Sequence, residues 1–314
     1  MIANFKSIFD LLREFPDEQS CINHLEKLRW NGNVISPFNE TSKVYKCAGN
    51  KYRCKNTKKY FNVKTDTIFD DSKVPLQKWF MALYIFSSHK KGISSHQLAR
   101  DISVTQKTAW FLLHRLRYAF DHPAFKELVG GWDDDNGGAI VEADETRIGG
   151  KNKNRHASKR KLNSQGGAGK AIVFGALERN GVFQAKVIKD VKAHTLKLAL
   201  RETVKEKSIV FTDELQSYNS ITDRYYHGST NHNAGQYVKD GIIHTNGVEC
   251  AWSHLKRGLY GIYHHVSEQH LQSYVDEFTL RYNTRKTDTA DRFDIILANI
   301  SGRKLTYETL INRI

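Results

Sequence analysis

Two short apolar runs that end in paired acids restrict the possible folds of this chain most: Ile140-Val141-Glu142-Ala143-Asp144-Glu145 and Ile209-Val210-Phe211-Thr212-Asp213-Glu214. Apolar runs of this length bounded by polar residues read as buried strands. Between them lie two further strand patterns, Lys170 to Leu177 and Val182 to Ile188, then a helical pattern from about Ala193 to Val204. A β-β-β-α-β order predicts an α/β core with mixed sheet pairing. Helices near 246–257, 267–283 and 290–300 are expected to cover it. Ligands of open α/β sheets bind at strand ends, and the reading puts Asp144 and Asp213 where their strands run out.

A lone Asp at a strand end more often closes a turn. A third acid changes that. From Thr245 to Leu259, the residues Val248, Ala251, Trp252, Leu255 and Leu259 share one helical stripe, and Glu249 and Lys256 share another face. Asn246 and Glu249 also have the spacing of a capping box, with Asn246 as N-cap. If Asp144, Asp213 and Glu249 converge, their charges repel unless a cation neutralises them, and hard oxygen ligands select magnesium or manganese. Two such ions clamp the attacking and leaving oxygens of an in-line phosphoryl displacement, the chemistry of cutting and joining DNA.

The charge balance points the same way. Lys and Arg number 48 against 34 Asp and Glu, a net charge of +14, which suits a polyanion, with double-stranded DNA first. Eight basic residues and no acid lie between Arg147 and Lys170. Lys151, Lys153, Arg155, Lys159, Arg160 and Lys161, together with Arg257, are expected to meet backbone phosphates. The string Gly166-Gly167-Ala168-Gly169-Lys170 is no phosphate loop, since no Ser or Thr follows the Lys and no strand precedes it. His227, His232, His264, His265 and His270 lack paired helical spacing and read as DNA-contact or core residues, whereas His244 stands out because it precedes the Glu249 helix.

The first half reads as two modules. Residues 1–70 form a small ribbon-like module, and 71–132 a helical domain that starts with Pro75 at a first helical position. Within it, Gly92 to Arg117 suits a helix-turn-helix: Ala99, Ser103 and Ala109 allow close approach, Ser94 or Ser95 caps the first helix, and Thr105 caps the second. Gln106, Lys107, Thr108 and Arg115 are the expected DNA contacts of that second helix. The turn-forming stretch Asp133 to Gly138 marks a boundary, after which come a domain at 138–287 and a helical extension at 288–314.

The strings Ala143-Asp144-Glu145-Thr146-Arg147-Ile148-Gly149-Gly150-Lys151, Thr212-Asp213-Glu214-Leu215-Gln216-Ser217-Tyr218 and His244-Thr245-Asn246-Gly247-Val248-Glu249 resemble bacterial insertion-sequence transposases of the Merlin-related, ISXO-type group. So do Tyr260-Gly261-Ile262-Tyr263-His264-His265-Val266 and Tyr274-Val275-Asp276-Glu277-Phe278. The resemblance spans about residues 20 to 287. It implies an RNase H-like catalytic core, a DDE metal triad on Asp144, Asp213 and Glu249, and a transposon-end contact by Lys256. The group varies between Asn and Glu at the third position, which leaves Asn246 as a rival or helper of Glu249, with His244 in support.

The resemblance also implies an N-terminal zinc ribbon, from which this chain departs. Its knuckle positions fall on Ser36, Asn39, Cys54 and Thr57, with one cysteine among them. Structural zinc takes four Cys or His ligands, so no zinc is expected, and Tyr45, Tyr52, Tyr60, Phe61 and Val63 are expected to hold the ribbon. Cys21, Cys47 and Cys250 show no disulfide framework. With no run long enough to span a bilayer and no signal-peptide pattern, the chain is expected in the bacterial cytoplasm at the nucleoid. The expected function is a transposase that cleaves element ends and joins the 3′-hydroxyl to target DNA with two metal ions, working as a homodimer or larger oligomer. The alternatives are a catalytically silent DNA-binding regulator and an RNase H-like nuclease that cuts without joining.

Overall fold

The computed structural model describes residues 4–133, 135, 137–150, 156, 158, 160, 167, 169–213, 216–218, 221–230 and 238–312. Contacts divide the chain into two units, Met1–His122 with Lys286–Ile314, and Pro123–Arg285.

In the first unit, helices α1 (Ile8–Glu14) and α2 (Glu18–Trp30) each begin with a reciprocal capping box, Ser7 with Asp10 and Asp17 with Ser20. A ribbon of β1 (Val44–Cys47), β2 (Lys51–Cys54) and β3 (Tyr60–Phe61) follows, antiparallel throughout. Tyr52, Phe61 and Val63 are buried in it, and Tyr52 stacks on Phe61 with centroids 5.7 Å apart. Tyr45 and Tyr60 do not hold it as expected: strand alternation turns both outward, to 43% and 60% exposure. Ser36 and Cys54 are wholly buried and Ser42 nearly so. Burial pushes the Cys54 thiol up, but hydrogen bonds from Ser36, Ser42 and Thr57 outweigh it together and bring the thiol to about 6. Hydroxyls therefore occupy the surroundings of the one knuckle cysteine. Purified protein is expected to carry no stoichiometric zinc and to keep its fold in chelator; elemental analysis finding one tightly held zinc per chain would overturn this.

The helix α3 (Leu76–Ser88) buries Leu76, Trp79, Phe80, Leu83 and Phe86, and Pro75 is its N-cap and not, as expected, its first residue. Next come α4 (Ser95–Asp101), capped by Ser94, and α5 (Gln106–Ala119), capped by Thr105. The link between them passes through Ser103 at φ +51°, a left-handed conformation more often given to Gly. Arg115 is not a DNA contact. Its side chain is buried, and its guanidinium donates to the carbonyls of Ile68, Asp70 and Leu305 at 2.8–3.1 Å.

The last two helices, α9 (Thr289–Ala298) and α10 (Tyr307–Ile311), belong to this same unit. Phe293 of α9 sits among Phe5, Phe15 and Phe80, and buried Asp294 lies 2.9 Å from buried His24 of α2. The segment after Lys286 thus completes the first unit, where an extension covering the α/β core was expected.

The second unit opens with a hairpin of β4 (Trp132–Asp133) and β5 (Gly137–Gly138). It then forms β6 (Ile140–Ile148), β7 (Ala171–Glu178), β8 (Phe183–Ile188), α6 (Ala193–Thr203), β9 (Ile209–Thr212) and β10 (Tyr226–Ser229). It ends with α7 (Asn246–Gly258), a single π turn over Leu259–Tyr263, and α8 (Glu268–Asn283). Among the described residues five strands make one mixed sheet in the order β10-β9-β6-β7-β8. β7 is antiparallel to both of its neighbours, β6 and β8, and β9 and β10 run parallel to β6.

Alternation along the strands gives the sheet two apolar faces. Val141, Ala143, Phe174 and Val210 pack against Leu196, Ala199 and Leu200 of α6, while Val173, Leu177, Phe183 and Ala185 pack against α7 and α8. The predicted stripe of α7, Val248, Ala251, Trp252, Leu255 and Leu259, lies on the second face. Burying each large side chain there contributes about 1.5–3 kcal/mol, so the stripe together outweighs a single cap worth about 1 kcal/mol. Among the described residues no helix is long and apolar enough to cross a membrane.

Candidate active site

Asp144 is the fifth of nine residues in β6, so the expectation that its strand ends there is corrected. β7 keeps β6 paired onward to Ile148 opposite Ala171. What ends beside Asp144 is the parallel pairing with β9, whose final partners are Glu142 and Phe211. Counting two residues further in the same register brings Asp144 level with Asp213, which directly follows the last residue of β9. Residues two apart share a face, so Glu142 and Asp144 lie on the α7 side of the sheet.

Trp252 of α7 donates its indole N–H to Asp144 Oδ2 at 3.0 Å. The residue opposite Asp144 on β7 is Gly175, and a Cβ there would come within 2.4 Å of the Trp252 ring. Only a glycine lets the indole lie flat enough to reach the carboxylate.

Burial, and after it the charges of Asp213 and Glu249, push the Asp144 carboxyl up to about 7. A carboxyl raised in the folded state favours the protonated form there. Its contribution to stability is fully present below the unfolded pKa and is lost as pH rises through the folded one. Asp144→Asn stays neutral, so in the absence of divalent cations it is expected to melt higher than the parent at about pH 8, with the gap closing by about pH 5. An equal gap at both would show that Asp144 is not held in a costly ionised state.

Glu249 is exposed in the first turn of α7 and accepts from Thr245 Oγ1 at 3.1 Å. The capping box read from Asn246 is corrected. Thr245 is the N-cap, Asn246 is the first helical residue and exposed, and no side chain of the cap residue holds the helix start. Buried Glu142 does so instead: its Oε2 accepts the backbone N–H groups of Gly247 at 2.7 Å and Val248 at 3.1 Å. Glu142 Oε1 accepts Arg179 Nε at 2.8 Å, and Arg179 continues to the carbonyls of Ile242 and His244. His244 Nδ1 lies 3.2 Å from the same oxygen without the alignment of a hydrogen bond. Glu142 therefore joins the strand of Asp144 to the helix of Glu249. Its signal in the sequence was an acid two places before Asp144 inside an apolar run.

Glu145 was also missed. Its carboxyl accepts from the buried Tyr218 hydroxyl, and burial above all, with Asp144 and Asp213 nearby, pushes it to about 8. Thr212, the residue before Asp213, pairs its hydroxyl with His227 Nε2 at 2.8 Å. Lys256 is half-buried and Arg257 exposed in the last turn of α7. Of the basic stretch, Arg160 is exposed, and Lys151, Lys153, Arg155, Lys159 and Lys161 lie outside the described residues, as does His232. In the first unit Gln106 and Lys107 are exposed and Thr108 half-buried at the start of α5, with Lys107 Nζ 5.6 Å from the Tyr307 ring centroid.

Among the described residues no group of three His, Cys, Asp or Glu side chains stands close enough to hold a metal ion. The donor chemistry of Asp144, Asp213 and Glu249 nevertheless suits a hard cation. All three side chains offer only oxygen donors, and the Asp144 carboxyl is raised first by burial and then by the charges of Asp213 and Glu249.

The model of the ISXO2-like transposase domain matches residues 136–283. The chain is 29% identical over 287 residues to an uncharacterized protein in transposable element ISH50 of Halobacterium salinarum, which covers 86% of this chain and 92% of that one. It is 31% identical over 98 residues to an uncharacterized transposase-like protein of Haemophilus influenzae, 31% of this chain and 77% of that one. No solved structure matches it. With a mixed sheet that brings its acids beside α7 inside the matched region, this chain belongs to the ISXO2-like transposases of insertion sequences.

Proposed function

We propose that the protein is a DDE transposase that binds the ends of its element, cleaves there, and joins the freed 3′-hydroxyl to target DNA. The observation that carries the reading is the register that brings Asp144 level with Asp213 at the end of β9, on the side of the sheet covered by α7, the helix of Glu249. Three antiparallel strands followed by two parallel to the first support an RNase H-like core. Asp144, Asp213 and Glu249 are the residues that would hold divalent cations, which when bound supply charge neutralisation and activation of water or a 3′-hydroxyl. Trp252 fixes the rotamer of Asp144, and Glu142 fixes the start of the helix that presents Glu249. Catalysis on this reading is positioning and electrostatic stabilisation.

The α4–α5 pair supports a helix-turn-helix that presents Gln106, Lys107 and Thr108 to the element's end, and Lys256, Arg257 and the Arg147–Lys170 stretch serve as backbone contacts. Two ends must be held together, so the working form is at least a homodimer.

The test is to incubate purified protein with magnesium and a duplex of the DNA flanking its coding region. Cleaved and joined products are expected. Specific binding without cleavage would favour the regulator, and cleavage without any joined product the nuclease.

A further inference from the structure

The helix that carries Glu249 does not stop at Gly258. It passes into the π turn Leu259–Tyr263, and His264 follows at φ +58°. Single π turns are rare and gather at functional sites. This one is pinned on its inner side. Leu259 is buried, and the Tyr263 hydroxyl donates to buried Glu277 of α8 at 2.6 Å while its ring meets Tyr274 edge-on at 4.7 Å. Tyr260 is left outside at 45% exposure. Beside it opens a cavity of about 510 Å³, lined by Ile148, Gly149, Tyr260, His264, His265 and Leu271 among others.

Two independent rulers place this cavity relative to the acids. Along β6, Asp144 to Ile148 is four residues, about 13 Å at the rise of a strand. Along α7, Glu249 to Tyr260 is eleven residues, about 16 Å at the rise of a helix. Glu249, Ser253, Lys256 and Tyr260 follow one another at helical spacing of four, three and four, so they share one stripe, and Lys256 stands between the acid and the aromatic ring. A DNA strand lying along that stripe meets a carboxylate, then a cation, then the cavity. The separation equals about four or five steps of duplex at 3.4 Å each.

The lining selects the occupant. A phosphate wants converging cations and amides, whereas an apolar floor of Ile148 and Leu271 beside a phenol and imidazoles suits a flat heteroaromatic ring that stacks. The Gly149 N–H donates to the Tyr260 hydroxyl at 3.5 Å, which ties the phenol to the end of β6 beside the cavity. A volume of this size is that of a small-molecule site.

We propose that the cavity beside the π turn receives one DNA base turned out of the duplex, with Tyr260 as its stacking platform, about four or five base pairs from the bond being cut. This rests on the reading of the protein as a DNA-cleaving transposase. Tyr260 is a positioning residue: the extruded base fixes the register in which the strand lies over the acids.

The experiment is a mismatch scan on the flanking duplex. Single mismatches are introduced one position at a time, and affinity is measured by fluorescence anisotropy without divalent cations. Unpairing a base beforehand removes the cost of extruding it, so tightening by about tenfold is expected at one position, four or five base pairs from the mapped cleavage point. Tyr260→Ala should weaken binding to the paired duplex by about 5- to 100-fold and abolish the mismatch peak, and Tyr260→Phe should retain both. Because Tyr260 is exposed, unchanged melting temperatures are expected for both variants. Tight binding with a flat mismatch profile, or a peak that survives in Tyr260→Ala, would overturn the base pocket alone. Failure of the parent to bind the paired duplex at all would overturn the transposase reading and the pocket with it.

Discussion

Asp144→Ala is expected to abolish strand cleavage and joining, a loss on the order of 10³-fold or more, while binding to the flanking duplex persists. Asp213→Ala and Glu249→Ala are expected to do the same. On the proposed reading each would remove one oxygen donor from a centre that works by charge neutralisation, and none would touch the basic surface proposed to meet the phosphates. Asn246→Ala should change activity little, because Asn246 is exposed at the first position of α7 and the helix start is held by Glu142. Cleavage assays on the four variants, with anisotropy on the same duplex, separate the residues. Full activity in Glu249→Ala with none in Asn246→Ala would transfer the third position to Asn246.

Glu142→Ala is expected to destabilise the second unit by about 3–5 kcal/mol. The Glu142 side chain is 2% exposed, and its two oxygens satisfy two backbone amides of α7 and the Arg179 guanidinium. Its removal leaves those amides and that charge without their acceptor in a largely dry site. A domain of this size should melt about 10 °C lower, given roughly 2–4 °C per kcal/mol. Glu142→Gln keeps an acceptor and the shape, so it should lose less. A Glu142→Ala protein that melts within a degree or two of the parent would show that α7 is held by its apolar stripe alone.

The parts of this molecule legible in the sequence are those written in local periodicity. The stripe of α7, the helix of α6 and the strand ending at Thr212 follow from spacing alone, Thr105 caps the helix it was expected to cap, and of the pair Ser94 or Ser95 it is Ser94 that caps α4. What escaped depends on a partner far along the chain. Asp144 reads as the end of a strand until β7 is known to continue alongside it. Glu142 carries no role within its apolar run until the amides of Gly247 and Val248 are known to lie against it. Arg115 sits on a helix rich in basic residues, and only the carbonyls of Ile68, Asp70 and Leu305, 45 or more positions away, reveal that it is an internal strut. The helix near 290–300 was found, but an amphipathic pattern does not say which core it serves.

That last assignment governs how the protein is born. The first unit is assembled from both ends of the chain, with Phe293 at the centre of its aromatic cluster and Asp294 against His24. On the ribosome, residues up to His122 must wait while all of Pro123–Arg285 is translated, on the order of ten seconds at bacterial rates of roughly 5–20 residues per second. The α/β unit is contiguous and can finish first. A chain stopped before Lys286 would therefore carry a contiguous α/β unit and a first unit without Phe293 at its aromatic centre or Asp294 against His24.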